Sequence, residues 1–267
     1  MKSYDVLGTT ALVRFSEEFK ERDKKKFAEK LLKEQKTLKT VLEKSGEIKG
    51  RLRKLSTKFI AGENTKEIIY RENNCVFRFN IDSTYFSSRL SNERKEIASL
   101  IKKDELVLVM FAGVAPFSIV IAKNSPAKKV YSNELNREAN KYAEINIKLN
   151  KVGNKLELVP GDIKKVSEKI LNGLTVNENK VPNKFDVIVM PRPQLKDSFL
   201  KDAFKLCKKN TRVYYYDFCK MDEVDSITDK IKKEAQESKA KIKILNVKKA
   251  GEIAPYKIRL RVDFIIV

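Results

Sequence analysis

"LVLVMFAGVAPFSIVIAK", Leu106 to Lys123, is the stretch on which the fold turns. It opens as a short unbroken apolar run, the pattern of a strand buried on both faces. "FSIVIAKNS" then begins a helix. Between them sits a small-residue turn, Ala112, Gly113 and Ala115 with Pro116. A strand feeding a helix through a small-sided turn is the opening unit of a doubly wound sheet.

Toward the C-terminus the alternation continues. "KKVYSNEL" reads as a second strand, followed by a helix, "REANKYAEINIKLNKVG", ending at Gly153. "LELVPGD" is a third strand, "IKKVSEKILNGL" a short helix and "KFDVIVMPRP" a fourth strand. "KDSFLKDAFKLCKKN" is a helix, "TRVYYYDFC" a fifth strand and "DEVDSITDKIKKEAQESK" a helix, before an antiparallel pair closes the chain. The expected class is α/β, a Rossmann-like, mostly parallel sheet with a C-terminal antiparallel hairpin, preceded by a small α+β domain.

That smaller unit, residues 1–66, starts with "SYDVLGTTALVRF", a strand turning at Gly8. A very basic helix is expected from about Glu17 to Leu42, with Phe19, Phe27, Leu31, Leu32 and Leu38 as its apolar stripe. The larger domain takes residues 67–267. It begins with "IIYRENNCVFRF", a hairpin turning at Glu72-Asn73-Asn74. A helix then opens near Ser91, with Ser91 or Asn92 as its cap and Glu93 in its first turn.

Fifty-seven Lys and Arg against 36 Asp and Glu leave a formal charge of +21, which draws polyanions such as nucleic acid. Histidine is absent, so acid–base chemistry falls to carboxylates, Lys, Tyr or Cys. The three cysteines, Cys75, Cys207 and Cys219, are too scattered to suggest a disulfide framework or a metal site. No apolar run is long enough for a membrane span, and the N-terminus lacks a signal-peptide core. A cytoplasmic monomer with no membrane partner is the expectation.

Ligands of such sheets sit beyond the carboxyl ends of the strands, where the strand order reverses. The loop after the first strand lacks G-x-G-x-x-G, so a nicotinamide dinucleotide is not expected. Glu134 ends the second strand, where a carboxylate accepts both hydroxyls of a ribose. Asp162 ends the third, beside the place of an adenine amino group. Glycine after one strand and an acid ending each of the next two suggest S-adenosylmethionine.

These residues lie in a wider pattern. "MFAGVAPFSIVIAK", with "TYFSSRLSNER" upstream and "NIKLNK" downstream, resembles the archaeal and eukaryotic tRNA (guanine-N1)-methyltransferases that act at position 37. The resemblance extends to "GRLRKLSTKFIAGEN" and "EIAPYKIRLRVDF", and so covers nearly the whole chain. It implies a class I methyltransferase domain behind a small α+β domain, with the family's N-terminal tRNA-elbow domain missing. It also implies S-adenosylmethionine as cofactor and the anticodon loop of tRNA as partner. By resemblance, Glu93 stands where the family's general base lies and Arg53 where its O6-contacting arginine lies. The implied cofactor residues are Tyr85, Arg89, Met110, Phe111, Ala112, Gly113, Glu134, Leu135, Asp162, Ile163 and Pro191. Those implied for RNA are Arg53, Arg94 and Arg192, with no metal.

The chemistry needs these residue types. Guanine N1 is protonated at neutral pH and becomes nucleophilic only when a base removes that proton. The charge then spreads to O6, where a guanidinium stabilises it. The base must be flipped from the anticodon loop, and an aromatic such as Tyr85 can stack on it. Three positions depart from the family pattern: Val109 for an acid, Ala115 for a second glycine and Pro191 for an asparagine. They keep open a catalytically weakened tRNA-binding paralogue; the related wyosine-pathway aminocarboxypropyl transferase is the other alternative, against which "YFSSRLSNER" and the "MPRP" loop argue.

Overall fold

The computed structural model describes residues 4–46, 55–178 and 180–267. The N-terminal unit is a four-stranded sheet. β1 (Tyr4–Leu7) and β2 (Thr10–Val13) form a hairpin about Gly8, and α1 (Glu21–Glu34) crosses to β3 (Thr40–Lys44), parallel to β2. β4 (Thr57–Gly62) completes the order β1-β2-β3-β4. One side of α1 buries Ala28 and Leu31 against Ala11, Val13 and Val41.

The single helix expected over 17–42 is corrected here to a shorter helix and a strand. Leu38 keeps its place in the core, but Thr40–Lys44 pairs with β2 rather than winding on. Leu31, Leu38 and Leu42 satisfy a helical spacing. The β-branched Thr37, Thr40 and Val41 favour the extended chain, and a waiting strand edge decides.

β5 (Glu67–Glu72) and β6 (Cys75–Asn80) form the expected hairpin, with Asn73 and Asn74 both at positive φ, as a tight two-residue turn requires. A 3₁₀ turn over Ser88–Leu90 leads into α2 (Ser91–Leu100). Leu90 is the residue at its cap and gives no side-chain bond, so the expected Ser91 or Asn92 cap is corrected.

The large sheet is built from β7 (Leu106–Val109), β8 (Lys129–Glu134), β9 (Leu156–Pro160), β10 (Phe185–Met190), β11 (Cys207–Lys220), β12 (Ile242–Ala254) and β13 (Lys257–Ile266). Their order is β12-β13-β11-β10-β7-β8-β9. All neighbours are parallel except the antiparallel β13, inserted between β11 and β12. The chain runs outward from β7 to β9 and returns to β10 on the other side, so the switch point lies between β7 and β10.

α3 (Pro116–Asn124) and α4 (Arg137–Asn150) join α2 on one face. α5 (Ile163–Leu171), α6 (Leu200–Lys205) and α7 (Val224–Glu237) cover the other. Strand alternation divides β7 between the two cores, Val107 and Val109 toward the first, Leu108 and Met110 toward the second. Two boundaries move. α4 ends at Asn150 with Lys151 as its left-handed cap, not at Gly153. The helix expected through Asn210 stops at Lys205, because Cys207 already pairs with Phe185 as strand.

Candidate active site

Four strand ends converge on one crevice. Asn133 and Glu134 come from β8, Gly161 and Asp162 from the end of β9, Phe111 and Gly113 from the turn after β7, and Pro191 from the end of β10. Tyr85 closes it from the segment before α2, and Leu135 and Ile163, also expected from the sequence, line it too. Asn136, Ala139, Pro193 and Leu195 also line it.

Glu134 knits the floor. One carboxylate oxygen accepts the Gly113 N–H at 2.7 Å and the other the Asn136 N–H at 2.7 Å. Burial pushes its carboxyl above the ordinary value of 4.5, against the opposing pull of the Asn136, Gly113 and Leu135 N–H groups. The carboxylate keeps lone-pair capacity on the crevice side, which suits a ribose hydroxyl. Asn133 ties β8 to β9, its amide donating to the carbonyls of Val159 (2.8 Å) and Gly161 (3.0 Å). Asp162 caps α5 through the Lys164 N–H at 3.1 Å and still faces the crevice.

The turn after β7 carries the strain its small residues imply. Gly113 has φ +58, and a Cβ there would stand 3.3 Å from the Tyr85 carbonyl, tighter than side chains usually accept. Ala115 has φ 65 and begins α3 from the left-handed region, which costs a non-glycine residue about 1–2 kcal/mol.

Several expected contacts are corrected. Met110 is fully buried in the second core and Ala112 nearly so in the first, because strand alternation and the turn point them inward. Arg94 is buried, paired with both oxygens of Glu72 and flanked by the Phe86 and Phe117 rings, so it cannot reach RNA from there. Arg192 is buried as well, paired with Asp217 beneath the wall of the crevice. Arg89 belongs to the neighbouring cleft, 3.5 Å from Asp5. Arg53 lies outside the described residues.

Glu93 sits at the carboxyl edge of the sheet but not in the lining of the crevice. One oxygen accepts from Tyr216 Oη (2.9 Å) and Arg261 Nη1 (2.8 Å), and the other is 3.2 Å from Lys248 Nζ. Tyr216 follows Tyr215, the register partner of Met190, which places this network level with Pro191.

Tyr85 also lines a second, wider cleft between the N-terminal sheet, the 81–89 segment and the C-terminal hairpin. Arg14, Lys44, Arg89 and Arg259 outnumber the acids Asp5 and Glu252 in its lining, Asp5 lying against both Lys44 and Arg89, with Gln194 at the border. None of these but Arg89 stood out in the sequence, since they come from four separate elements.

Residues 68–245 match the model of the TRM5/TYW2 methyltransferase domain. The chain belongs to the TRM5/TYW2 methyltransferase family. Residues 1–65 match the model of a TYW2 N-terminal domain. Trm5b of Pyrococcus abyssi, a tRNA (guanine(37)-N(1))-methyltransferase, is 31% identical over 98% of this chain and 74% of its own. Its crystal structure superposes with a TM-score of 0.83 over 99% of this chain and 74% of that one, at 30% identity. Taw22 of Nanoarchaeum equitans, named for methylating both guanine N1 and 4-demethylwyosine at position 37, is 32% identical over 99% of this chain and 100% of its own. A complex of aTrm5 with tRNALeu matches with a TM-score of 0.82 and 28% identity, over 99% of this chain and 72% of that one.

Proposed function

We propose that this TRM5/TYW2 family member methylates N1 of the guanosine at position 37 of tRNA. The observation that carries the reading is the pair of clefts sharing Tyr85, one lined by Glu134 and Asp162 and the other by Arg14, Lys44, Arg89 and Arg259 together with Asp5 and Glu252. The cofactor is S-adenosylmethionine, which when bound supplies an electrophilic methyl group on a sulfonium. Glu134 would hold its ribose, Asp162 its adenine side, and the Phe111–Gly113 turn would lie against it.

The chain's own part is to deliver the nucleophile. A guanine flipped from the anticodon loop enters the basic cleft and stacks beside Tyr85. A carboxylate takes the N1 proton and leaves a lone pair there for the methyl. The methyl–sulfur bond of the cofactor would break to leave a neutral thioether, and an arginine offsets charge at O6. Glu93 is the proposed base and Arg53 the proposed O6 partner. Tyr216 and Arg261 hold one oxygen of Glu93, and the other, 3.2 Å from Lys248 Nζ, would take the proton. Arg261 also keeps Asp263 and Glu96.

Glu93→Gln retains an acceptor for Tyr216 and Arg261, so the variant should fold and bind tRNA. Turnover of unmodified tRNA with labelled cofactor should fall about 10²–10⁴-fold. Wild-type turnover in that variant would remove Glu93 from the reaction. Mass spectrometry of the nucleosides decides the product: methylguanosine supports the reading, and an aminocarboxypropyl adduct overturns it. The Taw22 relative, similar over its full length, favours a second substrate on the same site, tRNA carrying 4-demethylwyosine. A methyl gained by that tRNA would identify a dual enzyme.

A further inference from the structure

We infer that Arg192 is a positioning residue for methyl transfer: it folds the loop that walls the crevice and thereby sets affinity for the cofactor. The inference rests on the crevice being the cofactor site.

The loop leaving β10 is "PRPQLKDS", residues 191–198. Pro191, Pro193 and Leu195 line the crevice, whereas Arg192 points the other way and is 3% exposed. Two prolines deprive this stretch of N–H donors, so its carbonyls have little backbone to pair with. Arg192 meets that need. Its Nη1 donates to the carbonyls of Pro193 (3.0 Å), Leu195 (3.1 Å) and Asp197 (3.1 Å), around which the loop is wound. Its Nη2 pairs with Asp217 on β11, and the guanidinium lies 5.5 Å from the Tyr215 ring centre.

Asp217 is itself fixed, accepting from Tyr215 Oη (2.9 Å) and the Phe218 N–H (2.8 Å). A planar guanidinium can hold three carbonyls and a carboxylate together, which a lysine ammonium on its flexible stem cannot reproduce. The wall is therefore templated from behind by one side chain. Gln194, on the same loop, faces the basic cleft, so the same clamp sets the border between the two clefts.

The test is calorimetric titration with S-adenosylhomocysteine, a probe that needs no tRNA, alongside steady-state methylation. Arg192→Gln should weaken binding of the probe and raise the cofactor KM about tenfold or more, because the wall is no longer preorganised. Its kcat at saturating cofactor should stay within about threefold, since no reacting atom is touched. Arg192→Lys should fall between. A residue that only supports the fold would lower kcat with the active fraction and leave KM unchanged.

Should Arg192→Gln fail to fold, Asp217→Asn answers instead: it spares the three carbonyl bonds, weakens the anchor and should raise KM several-fold. Wild-type KM and probe affinity in a folded Arg192→Gln or in Asp217→Asn overturn the inference. Absence of binding heat in the unaltered chain overturns the assignment of the crevice itself, and the inference with it.

Discussion

Glu134 shows how one side chain is readied for a ligand. Burial raises its carboxyl above the ordinary 4.5, while N–H groups from both sides of the crevice favour the charged form. The sign for folding is that of any raised acid: its contribution is full below the ordinary value and is lost as pH rises through the elevated one. In the proposed complex, ligand binding runs the other way, because a ribose would donate its hydroxyls to the ionised form. Cofactor affinity should therefore decline on acidification, beginning above pH 4.5. Glu134→Gln should weaken binding by about 1–3 kcal/mol and flatten that pH dependence in calorimetric titrations. At this scale the sequence was readable wherever a residue's place followed from a strand end, as for Glu134 and Asp162. It was misleading for Arg94 and Arg192, which the resemblance assigned to RNA and which buried carboxylates claim instead.

Among the elements, α4 does more than cover the sheet. Asn146 and Asn150, one turn apart, face the open edge of β6 and substitute for a missing strand. Asn150 accepts the Val76 N–H (2.9 Å) and donates to the Val76 carbonyl (2.7 Å). Asn146 does the same for Arg78 (2.7 and 3.1 Å) and also reaches the Val114 carbonyl (3.1 Å) beside the crevice turn. The "NIKLN" spacing thus docks the hairpin onto the catalytic domain. Asn150→Leu strips two backbone groups of their partner and should cost about 1–3 kcal/mol, read as a lower midpoint in denaturant. The hairpin itself was legible from its Asn-Asn turn, but its docking partner, some 70 residues on, was not. The helix expected over 17–42 failed for the same reason: local spacing allowed it, and a strand edge elsewhere decided.

For the whole molecule, the question is how the small domain meets the large one. Gly8, at φ +58, lies so near the Ile69 carbonyl that any Cβ would collide with it, so the β1–β2 turn abuts β5 through bare backbone. This contact helps form the basic cleft, whose wall takes Arg14 and Lys44 from one domain and Arg89 and Arg259 from the other. Gly8→Ala should push the domains apart. Tenfold or greater loss of tRNA turnover is expected, since about 1.4 kcal/mol of misfit already amounts to a factor of ten. Cofactor binding, measured separately, should hold. The net charge of +21 supplies attraction for polyanions but no address, and the cleft beside Tyr85 adds Arg14, Lys44, Arg89 and Arg259 against Asp5 and Glu252.

Local order of apolar runs, small turns and strand-ending acids determined the α/β class and the crevice at the strand ends, because those features are read by neighbours within a few residues. Tertiary structure alone decided which charged side chains stay available. Burying an arginine demands a carboxylate partner, and whether Glu72, Asp217 or Glu93 meets one depends on chain segments that only folding brings together.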